Sequence, residues 1–585
     1  MADNHLKSPD DRQGTSGAAR LAMRLPCLFA AFLATATVLP LVGCALDEDA
    51  DGEELGDIGD GKSDTFGIVD RAITIAAGKS KRFTFSADAS FRVAVTQPDT
   101  AAADRSELTL SLKDPSGDRQ TADADGEPSI VFDQSEPGAY VLTVKNVGTK
   151  AATALLNVRP LGGFGALPNP NAPLPPEVAW QPPAVESWPA SYPIFNNTGC
   201  GHDCTQADQN ALGPRSVMIK MLSTAIKSVK QGGTIRISNF NISGSAAAKP
   251  VVDAVLWAIQ NKGAHVKIVM DEAQNNAMSR TTLLASQGAE VRFLNGMTYT
   301  TSVGIMHSKI VAVDDQIVFA GSNNFSGTGL ITNEENSVVL RGPSNAERIR
   351  SFTCDVDVMF DAGVLPGQPQ KSDDARKTVV AKLDACNGPD TWFPPSGVIA
   401  TGESITYTNV TNGIKNAKRS ISLAPDMLAH PGIVSSLVTR AKKAKADGQP
   451  FTIKLVLDAS QEALGNPAFG DCVEKAGTDF GLDVQVRYWP GTAEIYQLMH
   501  HKFMIVDQDD PSGATLYNGS ANYSAKAMKW SFENVTRYKG AAYRQVVDAF
   551  TARFTRLFTE AKTKAKLASE DHLTAPACPL NTANL

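Results

Sequence analysis

Between residues 66 and about 158, apolar and polar positions alternate over short runs: KRFTFSA, FRVAVTQ, ELTLSLKD, SIVFDQ, AYVLTVKN and ALLNVRP. Alternation puts every second side chain on one face of a strand, so each run has a face to bury. AAGKS, DPSGD and EPGA supply turns between them. Six or more strands at this spacing predict a small all-β sandwich over 66–158. LPNPNAPLPPEVAWQPPAVESWPASYP then reads as a stiff, extended linker over 159–198. Beyond it the period changes. SVMIKMLSTAIKSVK and KPVVDAVLWAIQNKG have helical spacing, whereas TIRISNFNI, HVKIVMD and EVRFLNG read as strands. Helices alternating with strands predict α/β architecture.

That α/β pattern is stated twice. MHSKIVAVDDQIVFAGSNN begins at 306, and MHHKFMIVDQDDPSGATLYNGSAN begins at 499. His307, Lys309 and Asp314 align with His500, Lys502 and Asp507, each pair 193 residues apart. Gly321-Ser322-Asn323-Asn324 aligns with Gly519-Ser520-Ala521-Asn522, and Glu335-Asn336 and Glu533-Asn534 each begin eleven residues after the last Asn. Between the aspartate and the glycine the second copy is five residues longer. Upstream, HVKIVMDEAQ resembles TIKLVLDASQ, so the repeat covers most of 214–565. His-x-Lys-x4-Asp should arise by chance about 0.02 times in such a chain; it occurs twice, each time followed by GSxN. The predicted units are a first repeat over 199–365, a connector over 366–400, a second repeat over 401–570 and a tail over 571–585.

Composition alters the picture mainly at the start. The chain has 585 residues, 42% hydrophobic and 20% charged, ordinary for a globular protein of two to four domains. Arg20 and Arg24 precede the apolar run LPCLFAAFLATATVLPLVG, which reads as an export signal over 1–43. Leu41-Val42-Gly43-Cys44 resembles a bacterial lipobox, which implies lipidation of Cys44 and a place at the outer membrane or cell surface; plain secretion or a periplasmic location is the alternative. Residues 44–65 are densely acidic and predict a solvated tether. Asp47, Asp49, Asp51 and Gly52 mimic a calcium loop, but its twelfth position is Ile58 where a glutamate is required. Past the signal and Cys44, Cys200, Cys204, Cys354, Cys386, Cys472 and Cys578 form an even set that suggests disulfides. CGHDC over 200–204 lacks the second ligand pair a zinc site needs.

In a strand, residues i and i+2 share a face, so His307 projects with Lys309 and His500 with Lys502, while His501 points away as packing. An ammonium beside an imidazole repels a metal cation but suits a phosphate: the lysine holds oxyanions while neutral imidazole attacks phosphorus. Asn324 and Asn522 can add hydrogen bonds to the same oxygens. Glu335 and Glu533 can hold the far nitrogen of each histidine, with Ser322 and Ser520 in support. One histidine cannot conveniently serve both faces of a phosphorus atom, whereas two facing copies supply nucleophile and acid. His265, His430 and His572 have no matched counterpart and read as structural, as do Asp271 and Asp458 at strand ends.

These paired motifs resemble those of the phospholipase D superfamily, and the second copy looks like its compact bacterial nuclease and cardiolipin-hydrolase branch. The resemblance implies a pseudo-twofold pair of α/β lobes with mostly parallel or mixed sheets sharing one cleft. It also implies phosphodiester exchange through a phosphohistidine, without metal or other cofactor, within a monomer that carries both motifs. It places His307, Lys309, Asp314, His500, Lys502 and Asp507 in the catalytic motifs, with His307 as nucleophile, His500 as acid, and Asp314 and Asp507 structural or orienting.

Charge bears on the substrate. Lys and Arg exceed Asp and Glu by only about three over 191–585, which lends no support to polynucleotide binding. An exported, lipid-anchored enzyme lies beside phospholipid head groups, so cleavage of head-group phosphodiesters is the leading expectation. Transfer between alcohols in the manner of a transphosphatidylase or cardiolipin synthase comes next, then nuclease action. A silent phospholipid-binding surface protein is set against the intact His, Lys and Asn of both copies.

Overall fold

The computed structural model describes residues 55–57, most of 69–160, 167–172, 180–196 and most of 204–585. Cys44, the export signal, Cys200, His202 and His572 lie outside the described residues. The lobes that carry the repeated motifs are each built on one mixed sheet. The first has eight strands, ordered Ser191–Phe195, Asn336–Arg341, Ile317–Gly321, Ile310–Val313, Thr234–Ser238, His265–Asp271, Glu290–Tyr299 and Ser302–Ile305. The second has seven in the same sense: Thr391–Trp392, Val535–Lys539, Thr515–Gly519, Lys502–Val506, Ser420–Pro425, Thr452–Asp458 and Asp483–Trp489. In each, three strands run parallel and the motif strand pairs antiparallel with the first of them. Central strands such as IVAV and SISLAP are buried along their whole length, as sheets covered on both faces require. Long helices, Ala346–Ala362 and Arg544–Glu560, follow the last strand of each lobe.

Both lobes extend further toward the N-terminus than the sequence pattern indicates. Ser191–Phe195, inside the expected linker, is an edge strand of the first sheet with Tyr192, Ile194 and Phe195 buried. Pro193 has no N–H to donate, and an edge strand tolerates that. Thr391–Trp392, inside the expected connector, pairs with Val535 and Thr536 in the second sheet. Leu55–Asp57, within the expected tether, runs parallel to Arg82–Thr84.

That last pairing belongs to a five-stranded sheet, which with a four-stranded one forms the all-β region ahead of the lobes. Leu108, Leu110, Leu112, Tyr140, Leu142, Val144, Val93 and Leu156 form its own buried cluster. Disulfides join Cys354 to Cys386 and Cys472 to Cys578, tying the connector and the C-terminal tail to the lobes. Cys204 is also disulfide-bonded.

The lobes meet through backbone as well as side chains. Phe532 donates its N–H to Ile305 O and accepts from His307 N, while Glu334 donates to Leu498 O and accepts from His500 N, all at 2.9–3.0 Å. Glu334 is buried with Arg553 Nη1 at 3.1 Å and Arg556 Nη2 at 2.6 Å. Burial opposes its charge, but the two guanidiniums outweigh that and hold the carboxyl well below the usual range. Arg553 also lies over the Phe195 ring at 4.4 Å. Arg553→Ala should therefore lower stability by about 3 kcal/mol by leaving a buried charge half-paired, with Arg553→Ala/Glu334→Gln losing less. A denaturant titration that shows no shift in midpoint contradicts this.

Candidate active site

The two histidines arrive at the junction from equivalent positions. Neither histidine lies in a strand as the alternation predicts: His307 and Lys309 precede the strand Ile310–Val313 and His500 precedes Lys502–Val506, and in each copy the lysine side chain turns back on the histidine. Lys309 Nζ donates to His307 O at 2.6 Å, and Lys502 Nζ donates to His500 O at 2.7 Å. Upstream carboxylates fix the approach: Asp271 accepts from Met306 N at 2.8 Å and Asp458 from Met499 N at 2.7 Å. This gives the two strand-end aspartates the architectural role their position suggests. His307 and His500 are 6% and 7% exposed, buried but reachable. Their ring centroids are 6.5 Å apart with planes at 76°.

The carboxylates are crossed. His307 Nδ1 is 2.9 and 3.0 Å from the two oxygens of Glu533, which belongs to the other lobe. His500 Nδ1 is 2.7 Å from Glu335 Oε1, again across the junction, although off the line of a straight hydrogen bond. The neighbouring asparagines cross as well: Asn534 Nδ2 donates to Ser308 Oγ, and Asn336 Nδ2 lies 2.9 Å from His501 Nδ1. His501 is thus more than packing, because it also stands 3.6 Å from Glu334 at the lobe junction. Sequence spacing pairs each EN with its own motif and carries no signal for this exchange.

The serines of GSxN serve the EN pairs. Ser520 Oγ donates to Glu533 Oε2 at 2.6 Å and accepts from Asn534 N at 3.0 Å; Ser322 Oγ accepts from Asn336 N at 2.9 Å and donates to Asn336 O at 3.4 Å, while Glu335 Oε1 accepts from Asn333 Nδ2 at 3.2 Å. The preceding glycines are required by packing. A Cβ on Gly321 would sit 2.1 Å from Asn336 O, and one on Gly519 2.0 Å from Asn534 O. Asn324 and Asn522 are partly buried, each with Oδ1 unpartnered.

Asp314 and Asp507 depart from a place among the reacting groups. Both lie beyond the far end of the motif strand, about 16 Å along an extended chain from the lysines. Both have left-handed backbones, with φ 52° and 54°. Asp314 accepts from Lys230 N and Thr234 N, and Asp507 from Lys418, Arg419 and Ser420 N. They clamp the loop that enters the first parallel strand, a structural task. His265 is exposed, and His430 caps a helix through Gly432 N and stacks on Tyr407.

One site residue escaped the sequence pattern. Asp426 Oδ2 is 3.2 Å from Lys502 Nζ and 3.8 Å from His500 Nε2. The first lobe has Phe240 at the matching register, with its ring 5.2 Å from that of His307 and 5.5 Å from Lys309 Nζ. The difference is written in NFNI against PDML, but nothing in those letters marks a site.

Electrostatically the cleft favours a neutral nucleophile and an anionic ligand. Burial pushes both imidazoles well below their ordinary value, and Lys309 and Lys502 push them further. With Nδ1 engaged by a carboxylate, Nε2 is the nitrogen left to react. Burial raises Glu335 to about 7 and Glu533 to about 8, against the pull of the lysines. Two ammoniums beside the imidazoles make the site hospitable to phosphate and poor for a divalent cation.

Residues 222–355 and 410–558 match the family described as "Cardiolipin synthase, PLD-like domain". Among solved structures, phosphatidylserine synthase of Haemophilus influenzae aligns over 60% of this chain and 87% of its own, at 12% identity and TM-score 0.45. Polyphosphate kinase of Porphyromonas gingivalis aligns over 63% and 50%, at 11% identity and TM-score 0.37. The phospholipase D family member Nuc of Salmonella typhimurium aligns over 25% and 87%, at 28% identity and TM-score 0.20. No curated protein matches the chain.

Burial lowers Lys309 to about 7. The ammonium is thus present below that pH and lost above it, so kcat/KM for a phosphodiester should fall as pH rises through about 7. In Lys309→Arg the guanidinium stays charged, and the alkaline fall should move upward in a pH–rate profile. An unmoved limb would reject Lys309 as its source.

Proposed function

The chain belongs to the phospholipase D superfamily, whose chemistry acts on phosphodiester bonds, and from that premise we propose that it cleaves phospholipid head-group phosphodiesters through a phosphohistidine. The observation that carries this reading is the pair of histidines facing each other at 6.5 Å, each reaching a carboxylate of the other lobe. Lys309 and Lys502, with the Asn324 and Asn522 amides, hold the non-bridging oxygens. His307 Nε2 attacks phosphorus with its lone pair, and the bond to the departing oxygen breaks. His500, which enters this step protonated on both ring nitrogens, gives that oxygen its Nε2 proton, so an alcohol leaves and the ring is left neutral. Glu533 steadies the positive charge that grows on the His307 ring. Neutral His500 then takes a proton from water, whose oxygen attacks phosphorus, breaks the P–N bond and restores both histidines.

A lipid substrate is supported by the near-neutral charge of the lobes and by the lipobox-like Leu41-Val42-Gly43-Cys44, which would seat the enzyme at a membrane surface as an exported lipoprotein. The second reading is transfer to an alcohol in place of water, favoured by the synthase description of the matched family. Both share the first half-reaction.

Purified protein incubated with mixed phospholipids and a primary alcohol, and separately with single-stranded DNA, separates the readings. Phosphatidic acid marks hydrolysis, a phosphatidyl alcohol marks transfer, and shortened DNA marks a nuclease. His307→Ala and His500→Ala should each lose at least about 10² to 10⁴ in rate, while chelation with EDTA leaves the rate unchanged. Full activity in either variant contradicts the two-histidine reading.

A further inference from the structure

The cleft is not symmetric. Around His307 and Lys309 the position after the first parallel strand is filled by the Phe240 ring, 5.2 Å from the imidazole. Around His500 and Lys502 the same position carries Asp426. Asp426 is held firmly: its N–H donates to His501 O at 2.7 Å, and the following Met427 O accepts from Tyr523 N. Its side chain is 6% exposed, with Oδ2 between Lys502 Nζ and His500 Nε2 and Oδ1 buried without a partner. A buried carboxylate in a cleft made for an anion is costly in itself, so its retention calls for a use.

We propose that Asp426 makes the two histidines unequal, as a positioning residue that stabilises the proton on His500 Nε2 and so fixes His500 as the acid and His307 as the nucleophile. A carboxylate 3.8 Å from Nε2 attracts the proton that nitrogen must carry to the departing oxygen. The groups facing His500 are Glu335 at Nδ1, Lys502, Lys309, His307, Asp426 and, from its own lobe, Glu533. The lysines and His307 disfavour the imidazolium, and Asp426 opposes them on the side that reacts. Phe240 offers His307 no carboxylate, and its ring packs beside that imidazole at 5.2 Å. Asp426 also pairs with Lys502 Nζ at 3.2 Å, the ammonium on the acid's side of the cleft.

The inference rests on the two-histidine reading, and its test is distinguishable from that one. The first half-reaction is followed by rapid quench with two diesters, one with a nitrophenolate leaving group and one with an alkyl alcohol. Nitrophenolate departs without a proton, whereas an alkoxide needs one. Asp426→Asn should depress alkyl release at least ten-fold more than the nitrophenolate burst, and should move the pH profile of alkyl release to lower pH. Phe240→Asp, which gives His307 its own carboxylate, should slow the nitrophenolate burst instead. Equal losses on both diesters with an unmoved pH profile would reduce Asp426 to a structural part and overturn the proposal, as would no loss at all. Should Asp426→Asn not fold, the Phe240→Asp burst decides alone: an undiminished burst overturns the proposal. A failure of the two-histidine reading shows differently, as turnover that survives His307→Ala or His500→Ala.

Discussion

Each imidazole reaches for a carboxylate that its own lobe does not own. Glu533 reaches His307 and Glu335 reaches His500, so neither half of the site is complete until the lobes have docked. Buried groups of this kind are expensive to leave alone: a carboxylate, an imidazole and an ammonium without water must find one another. The exchange therefore does two things at once. It holds the ring whose Nε2 must react, and it makes the lobe junction polar at its centre and specific in register. The backbone bridges at Phe532 and Glu334 fix that register, and Arg553 and Arg556 neutralise the carboxylate buried beside it.

Much of this was written in the chain. The period change from 2 to a helix–strand alternation separates the β region from the lobes, and the HxK spacing puts each histidine and lysine together. GSxN and EN, at constant distance behind both motifs, point to their service of the histidines. What the letters cannot carry is which partner each glutamate takes, because the repeat makes the two choices look alike. Asp314 and Asp507 show the opposite limit. They recur as faithfully as the histidines, yet their left-handed backbones and backbone N–H partners place them in a turn at the other end of the strand. A repeated residue can be repeated for the fold.

The edges were harder still. Ser191–Phe195 sits among prolines and reads as linker, but its burial against Asn336–Arg341 is a tertiary fact. Asp426 was invisible for a related reason. Only the strand register sets it opposite Phe240, and only the folded cleft shows a carboxylate where its counterpart has a ring. Pseudo-symmetry built the site by duplication, and the departures from it give the two halves separate work.

The account's central claim, two histidines from opposed lobes acting in turn on one phosphorus, is tested most directly by stereochemistry. Two successive in-line displacements, first by nitrogen and then by oxygen, each invert phosphorus. A diester made chiral at phosphorus with sulfur and oxygen isotopes should therefore give product with overall retention. Inversion would mean a single direct displacement with no phosphohistidine between, and would contradict the claim.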